Sequence, residues 1–136
     1  MLSRPRLQDL LLEEMSSKDR AAMHRRSGAA MERLYRHRIG VVVDSLAWHF
    51  EQGSIPAKSY PYLVRAGDRL HDRSFVPEAM EFYDRALAIE PEARDYLVLD
   101  EADAKLSELH LKRGLALFHM GDWSTAASEL SRADKL

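Results

Sequence analysis

Apolar residues recur every three or four positions along most of this chain, the period of α-helices that bury one face. In the stretch FVPEAMEFYDRALAIEP the small residues Ala79 and Ala86 share one helical stripe with Tyr83. Proline occurs in the first turn and again at the end of this stretch. We therefore expect a helix over about 76–90 that Pro91 stops.

The same periodicity predicts a helix of about 20 residues that Ser17 caps and Gly40 ends. The segment 41–53 opens with three valines, which also suit a strand. We favour a helix there, because the sequence contains no second strand candidate to pair with it. WSTAASELSRADKL is predicted to form the last helix, so the fold class is all-α.

Two further segments leave alternatives open. A helix over 56–74 meets Pro61, whose missing N–H predicts either a start near Ser59 or a kink. The segment 93–121 contains no proline, and it allows one long helix or two joined near Asp100–Asp103. The connections are short, so we expect consecutive helices to be antiparallel.

Small residues recur with one spacing in two parts of the chain. Twelve and then seven residues separate them, and a bulky residue follows the first alanine by four. We expect the small residues to let two helices approach closely, and the bulky ones to fill the space between successive pairs. The predicted packing residues are Gly67, Ala79, Tyr83 and Ala86 in one copy and Gly114, Ala126, Leu130 and Ala133 in the other.

These two copies resemble tetratricopeptide repeats. The second has Gly114, Gly121-Asp122-Trp123, Ala126 and Ala133, whereas the first has Gly67, Ala79, Ala86-Leu87 and Pro91. The first copy departs from the family with Ser74-Phe75-Val76 in place of Gly-Asp-Tyr. Gly114 also follows Gly67 by 47 residues, and the family period is about 34.

The resemblance implies a right-handed α-solenoid of about three antiparallel hairpins in a single domain, residues 1–136. It places a divergent hairpin over 17–53 and one repeat over 56–91. A second repeat, with an extended first helix, would cover 94–136.

The front of the chain is also similar to the segment that follows the ATPase module in bacterial STAND/AAA-type signalling proteins. The matching residues are His49-Phe50-Glu51-Gln52 and Pro61-Tyr62-Leu63-Val64-Arg65-Ala66-Gly67. Such ATPases are often fused to nucleotide cyclases, kinases or transcription-factor domains. This likeness implies a fragment or relative of a larger bacterial signalling protein.

Composition narrows the function classes. Of 136 residues, 46% are hydrophobic and 31% charged, none is cysteine, and no apolar run approaches the length of a membrane span. We expect a cytoplasmic protein that does not enter membranes. Residues 1–38 carry nine Lys/Arg and five Asp/Glu (+4), and residues 39–136 carry eleven and seventeen (−6). This asymmetry indicates differently solvated faces or a basic front end that docks on an acidic partner or on nucleic acid.

No catalytic signature accompanies this pattern. The chain lacks the phosphate-binding motifs GxxxxGK[ST] and GxGxxG, a nucleophile elbow, and any HxxxH or HExxH spacing among its six histidines. We therefore expect no enzyme activity, no cofactor and no metal site.

The leading hypothesis is a scaffold that binds a protein or peptide. The rival is a regulatory segment of a nucleotide-dependent transcription regulator, whose basic helix docks on the ATPase domain or on DNA, although nucleic-acid binding is not favoured. We also expect self-association through the apolar last helix, or burial of that helix against further domains of a larger protein. From the repeat geometry of the family, the residues expected on the inner, partner-binding wall are Val64, Asp68, His71, Leu111, Leu115 and His119.

Overall fold

The computed structural model describes residues 16–136, which form six α-helices and two short 3₁₀ helices. No strand occurs within this range, so the all-α prediction is confirmed there, including the choice of helix over strand for 41–53. The α-helices are α1 (Ser17–Leu34), α2 (Val43–Gln52), α3 (Pro56–Asp72), α4 (Val76–Ala93), α5 (Leu99–His119) and α6 (Trp123–Asp134), with 3₁₀ turns at Ile39–Val42 and Arg94–Tyr96.

The predicted small residues lie where neighbouring helices meet. A Cβ placed on Gly67 would come within 2.5 Å of the Tyr83 ring, and one on Gly114 within 2.8 Å of Leu130. Ala79, Ala86 and Ala126 are buried, and Ala133 is half-buried. Tyr83 and Leu130 thus pack inside their own helix pairs, whereas the spacing predicted that they fill the space between pairs.

The first helix pair repeats this arrangement with residues that the spacing did not reveal. A Cβ on Gly28 of α1 would meet the ring of Phe50 on α2 at 2.8 Å. The Phe50 ring in turn stacks on Tyr62 of α3, with ring centroids 5.8 Å apart. In all three pairs, α1–α2, α3–α4 and α5–α6, a glycine on the first helix therefore packs against a bulky side chain on the second.

Helices α3 and α5 lie side by side and run in the same direction. The Tyr60 hydroxyl donates a 3.4 Å bond to the Lys105 carbonyl, and further along both helices Asp68 accepts a 2.8 Å bond from Lys112. The two helices are parallel, and residues of both line a groove between them.

Pro91 does not end its helix, and this prediction was wrong. Helix α4 continues to Ala93, which is buried, and Arg94 then donates a 2.7 Å bond to Glu90. A proline removes one N–H donor and disfavours helix in the residue before it. The buried Ala93 and the Glu90–Arg94 ion pair hold the last turn in place.

Gly40 does not end the first helix either. Helix α1 stops at Leu34, and Gly40 lies in the 3₁₀ turn that leads into α2. The early stop lets Val42 join Leu46 and Phe50 in a hydrophobic cluster. The cap is Ser16, whose hydroxyl accepts a 3.2 Å bond from Asp19 N–H, rather than Ser17.

The structure narrows the two open alternatives. Helix α3 begins at Pro56 and includes Pro61, so the start near Ser59 is wrong. The segment 93–121 forms one long helix, α5, after a 3₁₀ turn. Residues 1–15, part of the predicted 1–136 domain, lie outside the described residues.

Candidate groove between α3 and α5

The groove encloses a cavity of about 180 Å³ with an apolar floor. Tyr60, Val64 and Leu109 form this floor, and Tyr60 and Leu109 also belong to the main hydrophobic core. Burial raises the pKa of the Tyr60 hydroxyl, and the nearby Glu90 carboxylate adds to the rise. The hydroxyl therefore remains a neutral hydrogen-bond donor.

The rim of the cavity carries charged side chains of both signs. Lys112 forms ion pairs with Asp68 at 2.8 Å and with Glu108 at 3.3 Å. Burial alone lowers the pKa of Lys112, but the hydrogen bonds and charges of Asp68 and Glu108 together outweigh burial and raise that pKa. Arg65, also on the rim, is exposed and forms no ion pair within residues 16–136.

Tyr83 connects this rim to the helix-pair packing. Its ring lies against Gly67, and its hydroxyl donates a 2.7 Å bond to Asp68. Burial, and then the bond to the Asp68 carboxylate, raise the pKa of Tyr83. Asp68 is thus held from one side by Tyr83 and from the other by Lys112.

Two histidines meet at the far end of the groove. His71 Nε2 lies 3.0 Å from His119 Nδ1, and the ring centroids are 5.2 Å apart. The centroid separation nearly equals the N–N distance plus the two ring radii, so the nitrogens lie on the line between the rings. This alignment is that of a direct N–H···N hydrogen bond, in which one ring donates and the other accepts.

Comparison of the chain with protein-family models, curated proteins and solved structures gave no significant match. Within residues 16–136 no three His, Asp or Glu side chains converge as metal ligands would. In the same range no helix has both the length and the apolarity to cross a bilayer.

The six residues expected on one inner wall lie on two surfaces. Val64 and Asp68 line the groove, and His71 and His119 meet at its end. Leu111 instead lines a second depression, between α5 and α6, and Leu115 is exposed one turn further along α5. The internal repeat explains this division, because Leu111 occupies on α5 the position that Val64 occupies on α3. Helix α5 covers this side of α3, but no further helix covers the same side of α5 within residues 16–136.

The sequence did not predict a buried ionic cluster that lies between α4, α5 and α6. Glu129 of α6 is 3% exposed; it accepts a 2.8 Å bond from His110 and also pairs with Arg113. Burial by itself raises the pKa of Glu129, but the hydrogen bonds and charges of His110 and Arg113 hold the pKa below its ordinary value. Arg113 also binds Asp84 of α4 at 2.8 Å, so the cluster joins three helices.

Helical spacing offered a partial signal for this cluster. His110 and Arg113 are three residues apart and share a helix face. Glu129 lies 16 to 19 residues further on, and its place opposite them depends on how α5 and α6 pair.

Proposed function

We propose that this protein is a non-catalytic scaffold that binds a helix or extended peptide of a partner in the groove between α3 and α5. The observation that carries the proposal is the cavity with an apolar floor and a charged rim. Peptide grooves commonly combine an apolar anchor site with charged groups that orient the ligand. We further propose that the three helix pairs form a right-handed, tetratricopeptide-like solenoid.

The chemistry of the groove supports one kind of ligand. The cavity has room for about one large side chain, and its floor offers only the Tyr60 hydroxyl as a polar group. On the rim, Asp68 and Glu108 are already paired with Lys112, whereas Arg65 forms no ion pair among the described residues. A peptide with one large apolar side chain and a neighbouring carboxylate fits these groups.

The test begins with a displayed library of random 12-residue peptides selected on the immobilised chain. The affinity of an enriched peptide is then measured by fluorescence anisotropy for the unaltered protein and for Val64→Trp. The indole of Val64→Trp fills the cavity, so we expect at least tenfold weaker binding. Val41→Trp, at a 68% exposed position before α2, is the matched control and should bind normally.

Two results would contradict the proposal. One is a library selection without enrichment over a blank surface. The other is an enriched peptide that Val64→Trp and Val41→Trp bind equally well, which would place its site elsewhere. Helical circular dichroism of each variant shows whether the fold is retained.

The arrangement of cations on α1 favours a second candidate, a regulatory segment that docks on DNA or on an ATPase domain. Arg26 and Arg33 are exposed and seven residues apart, which places them on one face. DNA affinity that falls steeply with salt and is reduced by Arg26→Glu would support this candidate. Salt-independent or undetectable DNA binding would count against its DNA branch.

A further inference from the structure

The far side of the last helix pair carries a concentration of exposed apolar side chains. We call it the end face and define it by Leu111, Leu115 and Phe118 on α5 and Trp123 and Leu130 on α6. Spacings of four and three residues on α5, and of seven on α6, place each set on one side of its helix. Four of these residues are 41–68% exposed: Leu111, Leu115, Phe118 and Trp123.

The internal repeat shows what this kind of face does in the molecule. The depression between α5 and α6 is lined by the apolar residues Ala104, Leu111, Leu130 and Ala133, with Ser107, Glu108 and Asp134 beside them. Subtracting the 47-residue repeat offset gives Ala57, Val64, Tyr83 and Ala86 on α3 and α4. Tyr83 and Ala86 share a core cluster with Leu109 of α5, and Val64 and Leu109 line one cavity. The end face therefore continues a helix-stacking interface that exists within the chain.

The end face is more apolar than its internal counterpart. Leu115 stands where α3 has Asp68, and Phe118 where it has His71. The internal interface joins α3 to α5 through the Asp68–Lys112 ion pair. A helix that docks on the end face meets leucine at that position, so its matching residue must be apolar.

The exposed area is close to what a dimer needs. At about 200 Å² for a fully exposed large apolar side chain, the exposed parts of the four residues amount to roughly 400 Å². Interfaces are about 60% apolar, so a contact built on this area would bury roughly 700 Å² per chain. Each partner of a standard stable interface buries about 800 Å².

We propose that the end face binds the end face of a second copy of this chain, in a two-fold pairing of α5 and α6 with their counterparts. A two-fold contact matches a surface with itself, and an apolar face is its own chemical complement. The outer side of α1 is a poor alternative, because its exposed positions include Arg26 and Arg33. Burial of such charges against leucines without partners is unfavourable.

Sedimentation equilibrium over a hundredfold concentration range tests the pairing. The unaltered chain should fit a monomer–dimer equilibrium. Leu115→Glu, which places one carboxylate from each chain within the apolar contact, should weaken dimerisation at least tenfold. Leu34→Glu is the matched control, because Leu34 is 78% exposed at the end of α1, and this variant should dimerise normally.

Disulfide trapping tests the symmetry, and it is direct because the chain has no cysteine. Under mild oxidation Leu115→Cys should form a covalent dimer rapidly, and Leu34→Cys should not. A chain that stays monomeric throughout, a dimer unaffected by Leu115→Glu, or equal trapping at both cysteines would overturn the proposal. Circular dichroism confirms that each variant remains helical, and the trapping result stands even where Leu115→Glu fails to fold.

Discussion

The Tyr83 hydroxyl donates a 2.7 Å hydrogen bond to Asp68, and this bond joins the packing of α3 and α4 to the rim of the groove. The same tyrosine ring fills the space that Gly67 leaves open. Tyr83 therefore contributes both to the packing of α3 against α4 and to the rim of the candidate groove.

Tyr83→Phe separates the two roles of this residue. The ring remains, but Asp68 loses one of its two partners, so we expect the free energy of unfolding to fall by about 1–2 kcal/mol. Urea titration measures the change. Tyr96→Phe, at a 71% exposed site, should have no effect, and an equal loss in both variants would refute the role of the Tyr83 bond.

Ser74 occupies a backbone position that favours glycine. Its φ is +66°, and Gly121, 47 residues later in the equivalent turn, has a φ of +84°. Left-handed backbone costs a non-glycine residue about 1 kcal/mol, so Ser74→Gly should raise the melting temperature by several degrees. Gly121→Ser should lower it. A lower melting temperature for Ser74→Gly would show that the hydroxyl matters more than the backbone strain.

Glu129 should make the free energy of unfolding depend on pH in the acidic range. Its pKa is lower in the folded chain than the ordinary value of 4.5, so the unfolded chain binds the proton more tightly. The stabilisation is complete above about pH 4.5 and is lost as the pH falls through the folded pKa. Glu129→Gln should cost about 2–3 kcal/mol at pH 7 and flatten this acid dependence.

Unfolding free energies at pH 7 and in steps below pH 5 measure this effect. Glu81→Gln is the control, because Glu81 is exposed on α4. An acid dependence of Glu129→Gln as steep as that of the unaltered chain would contradict the account of the cluster.

The pairing of His24 with His49 predicts a second, milder pH effect. Their Nδ1 atoms lie 3.0 Å apart, and burial, followed by the charge of His24, lowers the pKa of His49. The unfolded ring takes a proton first, so stability should decline as the pH falls below about 6.5. His49→Asn should reduce this decline in thermal unfolding, whereas the exposed His37→Asn should leave it unchanged.

The sequence predicted contacts within helix pairs better than contacts between them. Spacing placed the small residues Gly67, Ala79 and Ala86 where α3 and α4 meet, and it was wrong only about Tyr83, which packs inside this pair rather than between pairs. Asp68 and Lys112 are 44 residues apart. Their meeting depends on where α5 begins, and the 3₁₀ turn Arg94–Tyr96 sets that start without a sequence signal that we recognised.

The same limit explains the division of the predicted binding residues. Repeat phase pairs Val64 with Leu111, but only the structure shows that α5 covers Val64 and leaves Leu111 open. The proline and glycine signals failed for a related reason. Helix α4 continues past Pro91 because Ala93 is buried. Helix α1 ends at Leu34, before Gly40, and the turn that follows brings Val42 into the core.

The central claim is that glycines opposite bulky side chains set the close approach of paired helices, and Gly67→Ala tests it most directly. The added methyl meets the buried Tyr83 ring, which has little room to move, and this overpacking should outweigh the helix-propensity gain of about 1 kcal/mol. Gly40→Ala is the control, because a Cβ there meets nothing within 4 Å. In urea unfolding we predict a net loss of about 1–2 kcal/mol for Gly67→Ala and no loss for Gly40→Ala. Equal or greater stability of Gly67→Ala would contradict the account.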